Sequence, residues 1–178
     1  MSNPLPRQGG ISSYQEIYKD AIVENKVRNE MIANVANTMS ANGRNILILV
    51  KHIEHGNILE KMIDKSTFLH GSHSKKERES HLELMKKCKA GPTISSSIFD
   101  EGVDVRPLNT LILAGSGKSS TRALQRVGRV LRKCELTNKK SALVVDFRDY
   151  CKHLKSHSDK REKIYRTEPL FIIKDYAL

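Results

Sequence analysis

Three short apolar runs limit the folds open to this chain: "NILILV" at 45–50, "NTLILA" at 109–114 and "SALVVDF" at 141–147. Their apolar residues follow one another instead of alternating with polar ones, so each run must be buried on both faces. Between them lie helical patterns: "EHGNILEKMID" (54–64), "SKKERESHLELMKKCKAG" (74–91), "STRALQRVGRVLRK" (120–133) and "RDYCKHLKSHSDKREKIY" (148–165). Shorter strand candidates stand in "STFLHG" (66–71) and in "PTISSSIFDEGVDV" (92–105), and "EPLFIIKDY" (168–176) is expected as an edge strand. Continuous strands separated by helices predict an α/β fold, a doubly wound and mainly parallel sheet with helices on both faces.

Ahead of the first run, apolar residues from Ile17 to Met39 recur every three or four positions, which predicts one helix from Ser13 to about Ser40. Gly43 in "ANGR" is placed to cap its C-terminus. Residues 1–12, with their Pro, Gly and Ser, form a tail. The expected division is a tail and connecting helix over 1–40 and one domain over 41–178. Ser74 and Glu77 have the spacing of a capping box, and Leu82, Met85 and Cys88 are expected on the inner side of the helix that follows.

Charge narrows the function classes. Thirty-one Lys and Arg against 20 Asp and Glu give a net charge of +11, a field that attracts polyanions and nucleic acid above all. Four Phe, five Tyr and no Trp disfavour a base-stacking platform, leaving the nucleic-acid backbone as the expected contact. Three scattered cysteines without a C-x-x-C pair argue against a disulfide framework or a cysteine-rich zinc site. They favour a reducing, intracellular setting. No run is long enough to cross a bilayer, the N-terminus lacks a signal-type apolar core, and no metal site is expected. His153 and His157 stand one helical turn apart but without a third ligand, and are expected as a surface pair.

"AGSGKSST" (114–121) follows a strand and precedes a helix, the order of a phosphate-binding loop. Counting back from Gly117 and Lys118, the first glycine of G-x-x-x-x-G-K-[S/T] should stand where the chain has Ile112. Gly115 leaves one residue between the glycines, too few to wrap a triphosphate in backbone N–H groups. The helix after it carries the stronger signal. At about 100° per residue, Ala123, Leu124, Val127, Val130 and Leu131 gather on one side. Arg122, Gln125, Arg126, Arg129 and Arg132 take the other, with no acid among them for pairing. Gly128 in mid-helix costs about 1 kcal/mol relative to alanine and marks a close approach.

"QRVGRVLR" (125–132) resembles motif VI of superfamily 2 helicases. In matching order, "NILILVKHIEHGNIL" (45–59) resembles motif IV, "FLHGSHSKKERE" (68–79) the H-G turn and helix after it, and "ISSSIFDEGVDV" (94–105) motif V. The basic form of motif VI is closer to phage-type, DNA repair and recombination helicases than to RNA helicases. The family's motor is a pair of RecA-like domains with ATP and Mg2+ in the cleft between them, held mainly by the first. The phosphate-binding loop and the D-E-x-H/D box of that first domain have no counterpart here; "FDEG" (99–102) lacks the final His or Asp. The resemblance therefore implies the second RecA-like domain, partnered by an N-terminal RecA-like domain in cis or trans and by DNA.

It further implies that Arg129 and Arg132 are arginine fingers, with Gln125 ordering the phosphate or the attacking water. Gly128 would allow close approach, Gly102 would make the motif V turn, and Asp104 would meet the ribose. Ser96 would hold a nucleic-acid phosphate, and Lys118 would reach either ATP or the nucleic-acid backbone. Two other readings stay open at this level: a stand-alone nucleotide hydrolase built around Lys118, and a basic nucleic-acid-binding module without catalysis.

Overall fold

The computed structural model describes residues 13–96, 105–115, 134–139 and 141–176. Five strands in this part form one sheet: β1 (Ile46–Leu49), β2 (Thr67–Leu69), β3 (Thr93–Ser95), β4 (Thr110–Leu113) and β5 (Leu143–Asp146). Their order is β2-β3-β1-β4-β5 and every pairing is parallel. Leu47 lies beside Thr93 on one side and Leu111 on the other, so the "ILIL" of β1 occupies the middle of the sheet. Parallel strands need crossover connections. The described ones are α3 (Ile53–Met62) between β1 and β2 and α4 (Lys75–Lys86) between β2 and β3. The described helices are completed by α1 (Tyr14–Tyr18), a π-helical turn at Lys19–Val23, α2 (Lys26–Ala41) and α5 (Lys152–Thr167).

The two-residue period of the strands sorts the core into two layers. Ile46, Ile48, Ile94 and Ile112 face α2 and α3, meeting Ile32, Ala33, Ala36, Leu59 and Ile63. Leu47, Leu111 and Leu113 face the other way, toward Met85 and Leu82 of α4 and Tyr165 of α5. The side taken by each crossover follows from connection handedness. The path from β1 to β2 moves outward across the sheet and the path from β2 to β3 moves back. A right-handed rule then demands opposite faces for α3 and α4, as found. The doubly wound α/β architecture expected from the apolar runs is therefore present.

The predicted helix over 13–40 is two helices. Asn25 breaks it: its Oδ1 accepts the N–H of Arg28 at 3.0 Å, capping α2 afresh. Asparagine is among the best N-caps, and in mid-helix it competes with the helical backbone for hydrogen bonds. At the far end Gly43 has φ +71°, with Gly43 N–H bonded to Ser40 O and Arg44 N–H to Met39 O. That is the paired bonding of a Schellman stop, as its position suggested.

Helix α4 begins at the Ser74–Glu77 capping box, with both reciprocal bonds made. It ends earlier than the sequence pattern implies. Cys88 is exposed, with φ +56°, and serves as the left-handed residue of the stop, its N–H bonded to Met85 O and that of Lys89 to Leu84 O. It does not lie on the inner side of the helix. The expected edge strand at 168–176 is also absent. Pro169 has no amide to donate, Phe171 N–H turns back to Glu168 O at 3.0 Å, and the Phe171 ring packs on the α4 side of the sheet. Leu170 and Ile172 stay exposed beside it.

Candidate functional site

In open parallel sheets ligands gather at the C-terminal ends of the strands, where the strand order reverses. Here that point lies between β1 and β4, whose chains depart toward β2 and β5 on opposite sides. The two ends touch backbone to backbone. Gly115 N–H donates to Leu49 O at 2.9 Å, and a Cβ on Gly115 would stand 2.8 Å from the Lys51 nitrogen. Packing alone thus demands the first glycine of "AGSGKSST", with no phosphate required to account for it.

Beneath this edge lies a buried polar network. Arg28 of α2 is 5% exposed; its guanidinium donates to Asp149 at 2.8 Å and to Ala114 O at 3.1 Å, and lies over the Phe147 ring. Burial pushes the Arg28 pKa down and the Asp149 carboxylate pushes it back, so the group stays a cation. Asp149 N–H is received by Ser158 Oγ at 3.0 Å. Arg161 of α5 forms a two-pronged pair with Asp146 (Nε to Oδ2 2.7 Å, Nη2 to Oδ1 3.0 Å) and donates also to Phe147 O. Tyr165 donates its hydroxyl to the same Asp146, and burial together with that carboxylate raises its pKa. The end of β5 is thereby tied to α2 on one side and to α5 on the other.

His55 makes a second link between α2 and α3. Asn29 donates its amide to Val23 O at 2.8 Å, which turns its Oδ1 toward His55 Nε2 at 2.9 Å. The Nε2 atom therefore carries the proton, leaving Nδ1 bare and buried without a hydrogen-bond partner among the described residues. Burial, helped by Arg28 and His52, pushes the His55 pKa down to about 3. Between about pH 6.5 and that value the unfolded chain takes up a proton that the folded chain refuses, so stability falls as pH falls. The slope from this group is about 1.4 kcal/mol per pH unit. Urea midpoints measured from pH 7 to pH 4 should drop more steeply for the native chain than for His55→Gln. Parallel curves would show that His55 does not set the acid limb.

The N-terminal segment covers the outer part of the edge. Lys51 Nζ lies 5.3 Å from the Tyr14 ring centre and 4.9 Å from that of Tyr18, and Tyr18 packs on His52. His153 and His157 both meet the Tyr14 ring edge-on, a packing role for the pair. Among the described residues no three His, Cys, Asp or Glu side chains come together as a metal shell, and no helix is long and apolar enough to cross a membrane.

Of the residues singled out from sequence, Ser96 is described. It is half-buried just past β3, and its N–H points to Leu69 O at 3.4 Å. Gly102, Asp104, Lys118, Gln125, Gly128, Arg129 and Arg132 lie outside the described residues. The two segments that carry them, 97–104 and 116–133, follow β3 and β4 in the chain. Arg28, Asp149 and Arg161, which hold the edge together, had no signal in the sequence beyond their presence as charged residues.

Residues 26–134 match the helicase conserved C-terminal domain family. The ATP-dependent DNA helicase uvsW of Enterobacteria phage T4 is 31% identical over 126 residues, covering 68% of this chain and 25% of that protein. Putative helicase 161L of invertebrate iridescent virus 6 is 29% identical over 170 residues, or 86% of this chain and 36% of that one. The crystal structure of T4 UvsW superposes with a TM-score of 0.69 at 25% identity, over 88% of this chain and 35% of its own. The helicase MrfA bound to DNA shares the fold at a TM-score of 0.59 and 13% identity, over 82% of this chain and 20% of that one. The chain thus spans a quarter to about a third of the length of the curated relatives named here.

Proposed function

This chain belongs to the helicase conserved C-terminal domain family of superfamily 2, and from that premise we propose that it is the second RecA-like half of an ATP-driven DNA translocase. The observation that carries the proposal is the match over 26–134, which takes in motifs IV to VI in order on a fully parallel sheet. Residues 1–40 would be the tail and connection, and 41–178 the motor domain. ATP would be held mainly by an N-terminal RecA-like domain, in cis or trans, that supplies the phosphate-binding loop and the Mg2+ carboxylates missing from this sequence. Magnesium bound there would supply charge neutralisation at the phosphates.

In this chain Arg129 and Arg132 would stabilise charge developing on the transferred phosphoryl oxygens through bidentate hydrogen bonds. Gln125 would order the phosphate or the attacking water, and Gly128 would permit the close approach. Gly102 would make the motif V turn and Asp104 would meet the ribose. Ser96 would bond a phosphate of the tracked strand, and Lys118 would add its charge to ATP or to that strand. Closure of the two domains on ATP and their opening after hydrolysis would convert turnover into movement along DNA. The free cysteines Cys88, Cys134 and Cys151 suit an intracellular setting.

The test compares the chain alone with the chain joined behind a first RecA-like domain. Alone it should bind DNA weakly, with affinity that falls as salt rises, and hydrolyse ATP no faster than buffer. Joined, it should show DNA-stimulated hydrolysis. Robust DNA-stimulated turnover by the 178 residues alone would overturn the proposal.

A further inference from the structure

Lys139 is a buried cation at the opposite edge of the sheet from the site just described. It is 8% exposed, and its Nζ donates to Arg106 O at 2.6 Å and to Leu108 O at 2.8 Å. An ammonium withdrawn from water carries a large desolvation cost unless acceptors replace the water, and two carbonyls facing one nitrogen do that. Both carbonyls belong to the turn that closes when Leu108 N–H bonds Val105 O at 3.1 Å. That turn is fixed to the base of the sheet. Asn45 Nδ2 donates to Pro107 O at 3.2 Å, and Asn45 N–H donates to Asn109 Oδ1 at 3.1 Å.

The other partner in the clasp is held far less firmly. Residues 134–139 form a small hairpin closed by the Cys134–Lys139 bridge, in which Cys134 and Lys139 alone are buried and Leu136 is 73% exposed. A hairpin with so little apolar contact depends on its polar anchor. The chain order gives that anchor its meaning. Asp104 adjoins Val105, at the start of the fixed turn, and Arg132 stands two residues before Cys134, at the start of the hairpin. In the chain, segment 116–133 follows Gly115, which packs against Lys51, and precedes the hairpin that Lys139 holds.

The structure assigns Lys139 as a positioning residue that couples the end of the arginine-bearing segment to the end of the segment carrying Gly102 and Asp104. As a statement about hydrolysis this rests on the function proposed above. Lys139 acts through the backbone of Arg106 and Leu108, and touches no reacting atom in this assignment.

Two measurements test it. Hydrogen exchange on the 178-residue chain should show amides in both 105–109 and 134–139 exchanging at least about tenfold faster in Lys139→Met, with β1 and α2 unchanged. In the protein joined to a first RecA-like domain, Lys139→Met should lower kcat for ATP about tenfold to a hundredfold with KM unchanged, since small displacements of catalytic groups act on turnover. Lys139→Arg, which keeps the cation, should recover most of the loss. Exchange that rises in 134–139 while 105–109 stays protected would overturn the coupling. A kcat for Lys139→Met equal to the native value, in protein still folded, would reduce Lys139 to a structural anchor and overturn the positioning role. If the unsubstituted joined protein fails to hydrolyse ATP, the functional proposal falls, and the exchange result still decides the clasp.

Discussion

Arg28→Met should lower folding stability by about 3–5 kcal/mol, the cost of removing one partner from a buried ion pair. The direct partner, Asp149, is 0% exposed and cannot recover its lost contact from water. Arg161, at 3.9 Å from Asp149, is already committed to Asp146. The substitution also strips Ala114 O of its donor at the very point where β4 ends. The double variant Arg28→Met, Asp149→Leu should be less destabilised than Arg28→Met alone, because it removes the stranded charge along with its partner. Urea unfolding with a shared m-value is the measurement. A loss below about 1 kcal/mol for Arg28→Met would mean that water or a neighbouring cation compensates Asp149.

Arg129→Ala, made in the protein joined to a first RecA-like domain, should cut kcat for DNA-stimulated ATP hydrolysis by about 10³-fold or more. The magnitude follows from what a guanidinium does in phosphoryl transfer. Charge spreads over three oxygens as the bond to the leaving group loosens, and a planar donor pair meets it more strongly than it meets ground-state ATP. KM should therefore change little. Lys118→Ala is the companion measurement, since it separates the arginine helix from the glycine loop as the source of catalysis. A large effect at Lys118 with none at Arg129 would favour a nucleotide site built around the loop.

The fold was legible because burial on both faces leaves a compositional trace. "ILIL" has no polar member to place outward and "TLIL" only its leading threonine, and they became the adjacent inner strands β1 and β4. The caps were legible for a related reason, since Ser74–Glu77 and Gly43 act through atoms within a few residues of themselves. Misreadings arose where two local signals competed. Apolar periodicity ran unbroken past Asn25, and the cap won because the backbone of Arg28 needed an acceptor. In "EPLFIIKDY" β-branched composition suggested a strand, and Pro169 and the burial of Phe171 prevailed.

The motifs resemble the family's by order and spacing, a signal that local sequence can carry. The buried polar pairs at the ends of the strands left no such trace. Arg28 and Asp149 are separated by 121 positions, and Lys139 bonds backbone carbonyls that carry no side-chain signature. Long-range charge pairs and lysine–carbonyl bonds exist only once the chain has folded.

The Arg28–Asp149 pair also imposes an order of events during synthesis. When α2 leaves the ribosome its arginine cannot yet meet Asp149, and both β4 and β5 have yet to be made. At about 5–20 residues per second the interval before Asp149 emerges is on the order of ten seconds. Through that interval α2 cannot bury its guanidinium on the sheet. Seating of α2 must therefore be among the last steps of this domain's assembly, although the helix precedes the whole sheet in the chain.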